Sequence, residues 1–244
     1  MRRIERAKLP RVAQTYLGRR QSAANEKRRQ GKLNIESDWK SARQTRGLKT
    51  VVTTLQAMMG PRQRCMYCLD SHGADLEHFR PKAVYPKRMY HWPNLLLCCT
   101  ECGRFKGNKF PVFGRQVLLI DPTREDPWKH LDFDPATGNI SARFDLRLND
   151  WSAKGTATVD ILKLDQREAL SVGYLKTLRH LCDIVQRALS GAAVAAPALI
   201  LELQNADDHG LLAWCFGDRG STIQPFNDLH QRHPGVWRQC RQAI

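Results

Sequence analysis

The sequence predicts an α+β fold, mainly helical, with a small strand-bearing module near its middle. Three observations predict it. Apolar residues recur at helical spacing before residue 60 and again after residue 151. Residues 62–111 lose that periodicity and are dense in Cys, Pro, Gly and Asn. Short apolar runs between residues 117 and 144 are separated by turn residues. We read three segments from this: a basic N-terminal arm or helix over 1–47, a cysteine-rich core over 48–115, and a hairpin and helical region over 116–244.

In chain order, residues 1–36 carry basic runs (Arg19-Arg20, Lys27-Arg28-Arg29) and little apolar pattern, so part of this segment is expected to be flexible. Ser37 is placed to cap a helix starting at Asp38. Leu48, Val51, Val52, Leu55, Met58 and Met59 mark one apolar helix face that stops at Gly60-Pro61, with the methionines in the core. Val117–Ile120 reads as a strand ending at Asp121-Pro122. Leu131–Asp134 and Ile140–Phe144 flank Pro135–Asn139 as a hairpin. Leu164, Leu170, Tyr174, Leu178, Leu181 and Val185 predict a long helix, and 192–203 a second apolar stretch interrupted by Pro197. Trp214, Phe216, Phe226 and Trp237 are expected to pack as a cap of short elements.

The formal charge is +15, and it is unevenly spread. Residues 1–60 hold 15 Lys/Arg and 4 Asp/Glu, hence +11, which leaves +4 for the other 184 residues. Concentrated basic charge suits a polyanionic partner, because each Lys or Arg placed on a phosphate releases counterions. No run approaches the roughly 18 apolar residues of a membrane span, and the first residues lack an apolar segment of signal-peptide length. A cytoplasmic location without membrane contact is the expectation.

Five of the eight cysteines lie within residues 65–102, a clustering that points to metal rather than to disulfides. Cys65-Met-Tyr-Cys68 and Cys99-Thr-Glu-Cys102 are two C-x2-C turns. Each turn supplies half of a tetrahedral thiolate shell, and two of them close a structural zinc site. Cys98 with Cys102 would give the spacing C-x3-C; Cys99 repeats the spacing of the first pair, which leaves Cys98 for the adjacent core.

A plain zinc knuckle pair needs no special residues between its halves. Here the interval contains Glu77-His78-Phe79-Arg80-Pro81-Lys82 and His91-Trp92-Pro93-Asn94-Leu95-Leu96-Leu97. Phosphodiester hydrolysis needs a base for water, a cation on the scissile phosphate and positive groups around the developing charge. His78 can be the base, Glu77 a hard oxygen ligand, and Arg80, Lys82 and Lys106 phosphate contacts. Asn94 can hydrogen-bond a backbone and hold the two segments together. This chemistry requires the His78 ring to border a pocket that admits a phosphate.

The order C-x2-C, Glu-His, Asn-Leu-Leu, C-x2-C, Lys-Gly resembles the HNH endonuclease superfamily, which implies a β-hairpin and a helix wrapped around one catalytic metal. More narrowly, Glu77–Lys82, Asn94–Leu97 and Lys106-Gly-Asn-Lys-Phe-Pro111 look like the HNH nuclease subunit of Septu antiphage systems and its relatives in Septu-like retron systems. Leu119–Pro122, Asp126, His130 and Thr137-Gly138 extend the likeness more weakly. The resemblance implies His78 as general base, Glu77 as a ligand of Mg²⁺ or Mn²⁺, and Asn94 as the central Asn. It implies a DNA or RNA substrate, an ATPase partner and, in the retron case, a complex with a reverse transcriptase. The third signature position, directly after the last cysteine, is Gly103 and has no side chain; Asn108 is the candidate replacement. That departure keeps a second reading open, a zinc-stabilised nucleic-acid-binding or scaffold subunit with impaired chemistry.

Overall fold

A computed structural model describes residues 1–191 and 193–244. They divide into two compact units, Arg3–Glu125 on one side and Met1–Arg2 with Asp126–Ile244 on the other. The fold is mixed helix and strand, as the sequence pattern predicts.

The Arg3–Glu125 unit opens with three helices. Helix α1 (Arg11–Arg29) occupies the segment expected to be partly flexible. Its buried strip is only Ala13, Leu17 and Ala24, too thin and too small to register as an apolar face in a basic sequence. Helix α2 (Ile35–Arg43) begins three residues before the expected start. Asn34, not Ser37, is its cap: the Asn34 side chain accepts the Ser37 N–H at 2.9 Å. Helix α3 (Arg46–Met58) buries Leu48, Val51 and Leu55, and Gly60 follows in the left-handed region at φ +73°. Met59 is buried and Met58 half-buried, so the methionine pair is core rather than chemistry.

The strand-bearing module follows. Strand β1 (Asp75–His78) pairs antiparallel with β2 (Leu95–Cys98), with Asp75 opposite Cys98, Glu77 opposite Leu96 and His78 opposite Leu95. All four β2 residues are buried, and α3 packs against that strand. Helix α4 (Thr100–Lys106) starts immediately after β2 and contacts β1. Together they form a hairpin followed by a helix, and residues 79–94 link the two strands. The expected strand at 117–120 is shorter in fact: β4 (Gln116–Val117) pairs with β3 (Val112–Phe113), whereas Leu119 and Ile120 are buried without strand pairing. Burial alone explains the apolar run there, so periodicity misassigned it.

The second unit contains the expected hairpin, β5 (Leu131–Phe133) with β6 (Ile140–Ala142), closed by Gly138 at φ +78°. A small ribbon of β7 (Phe144–Asp145) and β8 (Asp150–Trp151) comes next. The long helix expected from Leu164 onward is α6 (Glu168–Ser190), starting four residues later; α5 (Ala153–Leu162) precedes it and ends at Lys163 in the left-handed region at φ +53°. Leu164 packs in the turn between them and so continued the apolar pattern. Of the apolar stretch 192–203, Ala192 lies outside the described residues; α7 (Ala196–Ala206) takes Pro197 in its first turn, where no N–H is missed. Short helices α8 (Leu212–Cys215), α9 (Phe226–Arg232) and α10 (Pro234–Ala243) make the aromatic cap, with Phe216 stacked 4.6 Å from Trp237 and 5.4 Å from Phe226. Among the described residues no helix is long and apolar enough to cross a membrane.

Candidate metal centre and catalytic hairpin

The four knuckle cysteines converge. Cys65, Cys68, Cys99 and Cys102 are buried, and their sulfurs lie within 4.8 Å of one another. Cys68 Sγ and Cys99 Sγ are 3.9 Å apart. A zinc–sulfur bond of about 2.3 Å implies tetrahedral sulfur–sulfur edges of about 3.8 Å, so the spacing and the donor chemistry both fit zinc. Cys99 caps α4 with its sulfur accepting the Cys102 N–H at 3.4 Å, so the second pair rides on a helix start. The first pair is tied to β2 by the Met66 N–H donating to Leu97 O at 2.9 Å. Cys98 stays out of the group, with its thiol donating to its neighbour's carbonyl, Cys99 O, at 3.1 Å. Burial pushes the Cys65 thiol up, while hydrogen bonds from Cys102, Cys65 and Cys99 pull Cys68 down. Four sulfurs this close cannot all ionise against each other; a dication at their centre removes the conflict.

A zinc ion held by these four sulfurs would fix the hairpin to α4, and the hairpin sets the motif residues. Successive strand residues face opposite ways. Glu77 therefore faces α4 and His78 faces the N-terminal helices. The His78 ring is buried, 6% exposed, with Nε2 2.9 Å from Met89 O and Trp39 of α2 edge-on at 4.3 Å between centroids. Burial drives its pKa down to about 3; the Met89 carbonyl opposes the shift, and the Lys82 and Lys106 charges add to it. The imidazole is thus neutral at physiological pH. Donating one N–H to Met89 O leaves its other nitrogen as an acceptor.

Asn94 locks the loop that carries these groups. Its Oδ1 accepts the Arg80 N–H at 2.8 Å, and its Nδ2 donates to Arg80 O at 3.1 Å and to Arg88 O at 3.0 Å. Arg80 is held by aromatic faces, its guanidinium 5.4 Å from the Tyr85 centroid and 5.0 Å from that of Phe110. Lys82 pairs with Glu36 of α2 at 2.7 Å.

Other expected residues fall elsewhere. Lys106, expected as a phosphate contact, is fully buried; its ammonium donates to Glu77 Oε1 at 2.6 Å and His78 O at 2.8 Å. The helix turns it inward, so it touches the hairpin and not solvent. Asn108 is exposed beyond the end of α4, and His91 is exposed beside the turn that leads to Asn94. Asp121 caps Thr123 within the first unit at 3.0 Å. Asp126 caps Trp128, and His130 Nδ1 meets Ser152 Oγ at 2.9 Å, both in the second unit. The expected Mg²⁺ or Mn²⁺ does not find a donor set: Glu77 is paired with Lys106, Gly103 offers nothing, and among the described residues the cysteine group is the one cluster of three or more Cys, His, Asp or Glu ligands.

Sequence reasoning missed a buried node beside the loop. Asp38 of α2, 8% exposed, accepts from Arg20 at 2.8 Å, Lys27 at 2.7 Å and the Tyr90 hydroxyl at 2.6 Å. Gln21 of α1 accepts the Tyr90 N–H at 2.8 Å. Tyr90 follows Met89, so the N-terminal helices brace the carbonyl that holds His78. The basic run of α1 is the visible signal, but in the sequence it suits a polyanionic partner and does not announce the Asp38 pairing.

No family model matches the chain. It is 32% identical to Septu protein PtuB of Bacillus thuringiensis over 112 residues, 44% of this chain and 38% of that protein. It is 30% identical to Septu protein PtuB of Bacillus mycoides (strain KBAB4) over 136 residues, 43% of this chain and 44% of the relative. A segment is also 34% identical to Septu protein PtuA of the same strain over 87 residues, 30% of this chain and 11% of PtuA. The chain spans less than half the length of each of these relatives. The likeness first visible in the motifs at 65–111 thus extends to part of each relative: over that part this chain is similar to Septu protein PtuB.

Proposed function

We propose that this chain is a component of a Septu-type antiphage defence system and that its hairpin–helix module is an HNH-type endonuclease centre. The observation that carries the reading is the hairpin followed by a helix, β1 and β2 then α4, built around the four cysteines and carrying a loop pinned by Asn94. His78 is buried and oriented by the Met89 carbonyl, so it takes a proton from an attacking water only after it is uncovered. Arg80, stacked between Tyr85 and Phe110, is pre-set for a phosphate oxygen, and Lys82 adds charge once Glu36 releases it. Zinc on Cys65, Cys68, Cys99 and Cys102 supplies the rigid frame. No step is assigned to a second metal, because the donor set does not fit one. The PtuB and PtuA likenesses support a place in a Septu system with a partner subunit; the ATPase nature of that partner rests on the motif resemblance.

His78 does not border an open pocket in this conformation, since Trp39 covers it. Substrate access therefore requires the Trp39 contact to open. A second reading, a nucleic-acid-binding subunit with impaired chemistry, is favoured by Gly103 and by the Lys106–Glu77 pair. Cleavage of mixed DNA and RNA pools by the zinc-loaded protein, with and without its partner and nucleotide, compared with His78→Ala, decides between them. Cleavage by wild type alone supports the nuclease; binding by both with cutting by neither supports the second reading.

A further inference from the structure

We infer that Lys106 is the built-in counter-cation of Glu77, so that Glu77 binds no metal in this chain. The inference rests on the HNH reading only in that this reading assigns a cation to Glu77. Three observations carry it. The Lys106 side chain is fully buried, and each of its three N–H groups has an acceptor: Glu77 Oε1 at 2.6 Å, His78 O at 2.8 Å and Gly107 O at 3.5 Å. It therefore joins α4 to β1 through both the side chain of Glu77 and the backbone of His78. Secondly, the carboxylate it neutralises is itself buried, with its side chain 16% exposed. A buried carboxylate needs one compensating charge; a second cation on the same group would sit against the ammonium, and the two like charges would repel at short range in a poorly hydrated place. Thirdly, position 103 faces the same spot. A Cβ there would lie 3.9 Å from Glu77 Oε2 and 3.7 Å from Cys98 Sγ, which is ordinary contact. A Cβ is therefore tolerated there, and glycine supplies no donor.

Lys106 is thus a positioning residue. It holds Glu77 and the end of β1 in place without touching the reacting atoms. The charge a metal would supply is built into the polypeptide, and the pairing of Gly103 with Lys106 becomes intelligible: without a third ligand, the carboxylate takes its counter-charge from the helix.

The test is manganese binding to protein already carrying one equivalent of zinc, read by electron paramagnetic resonance of the free ion and by calorimetry. Wild type is expected to take up no manganese at millimolar concentration. The double variant Gly103→Asn with Lys106→Gln is expected to bind one equivalent, and adding Glu77→Gln to it should abolish that binding. Wild-type protein that binds one manganese and loses it in Glu77→Gln overturns the inference. So does a double variant that keeps its zinc and its near-ultraviolet dichroism yet binds none. If the double variant does not fold, the wild-type arm still decides. Cleavage run in parallel is a separate readout: no cutting under any condition defeats the nuclease reading and leaves the manganese result standing.

Discussion

Acidification should destabilise the Arg3–Glu125 unit through His78, by an amount the structure lets us work out. In the unfolded chain this histidine titrates near its ordinary value of about 6.5. In the fold, burial against Trp39 holds it neutral down to about pH 3. Between those values the unfolded chain binds a proton that the folded chain refuses, so stability rises with pH across that window and falls as pH drops. Above about 6.5 the folded arrangement carries no ionisation cost; at about pH 5 the cost is about 2 kcal/mol, at 1.36 kcal/mol per unit over about 1.5 units. Zinc release also begins in acid, since protons compete for the thiolates, so wild type alone is a poor reporter. The difference between wild type and His78→Gln removes that shared term, because both keep the four cysteines. Urea unfolding at about pH 7.5 and pH 5 should show the wild type losing about 2 kcal/mol more than the variant. Direct titration of the His78 ring by NMR should show no inflection near 6.5. A gap that stays constant with pH, or a ring that titrates near 6.5, refutes the claim that this imidazole is desolvated and held neutral. The same logic bears on catalysis: the acid limb of a kcat/KM profile should not report His78 at its ordinary value.

Three further outcomes follow from the geometry. Cys102→Ser should yield metal-free, largely insoluble protein, because zinc binding and folding of the hairpin–helix are coupled, with zinc content per chain as the measurement. Asp38→Ala should cost about 3 kcal/mol in denaturant unfolding, the low end for a broken buried pair, because Lys27 reaches solvent while Arg20 does not fully. Burial would raise the Asp38 carboxyl, but Lys27, Tyr90 and Arg20 outweigh it and hold it below the ordinary range, so its contribution should persist above that range and vanish as pH falls through the lowered value. Asn94→Ala should lose about 2 kcal/mol, leaving the Arg80 and Arg88 backbone groups to find water, and should cut activity more than it changes substrate binding.

The zinc site was legible because its information is local. Two x2 spacings specify two turns, and the choice of Cys99 over Cys98 follows from repeating the first spacing; the structure groups the same four sulfurs. The long apolar face at 170–185 and the aromatic C-terminal cap were legible for the same reason, since they are dense apolar periodicities. What failed was everything settled by tertiary context. Helix α1 buries two alanines and one leucine, and its polar residues Arg20 and Gln21 reach Asp38 and Tyr90, 18 to 70 positions away, with Gln21 also bonding Asn25 within the helix. Leu119 and Ile120 look like a strand because buried irregular chain and buried strand share the same composition. Lys106 read as a phosphate contact because a lysine after a knuckle is ordinarily solvated; nothing nearby in sequence announces that its amine ends on Glu77.

Strand alternation explains why the N-terminal helices are needed at all. Glu77 and His78 are consecutive, so β1 sends one to α4 and the other to the opposite face. The α4 side closes itself within the motif, through the four-cysteine group and Lys106. The His78 side has no such local closure: the ring would stand in solvent, free to rotate and to protonate near neutrality. Helix α2 supplies the wall, Trp39, and helices α1 and α2 together grip Tyr90 so that the Met89 carbonyl meets the imidazole. A hairpin–helix excised from residues 62–111 would keep its thiolate centre but lose the neutral, oriented state of His78. If that excised piece held the His78 ring in the same single tautomer by NMR, the division of labour between the two faces would be wrong.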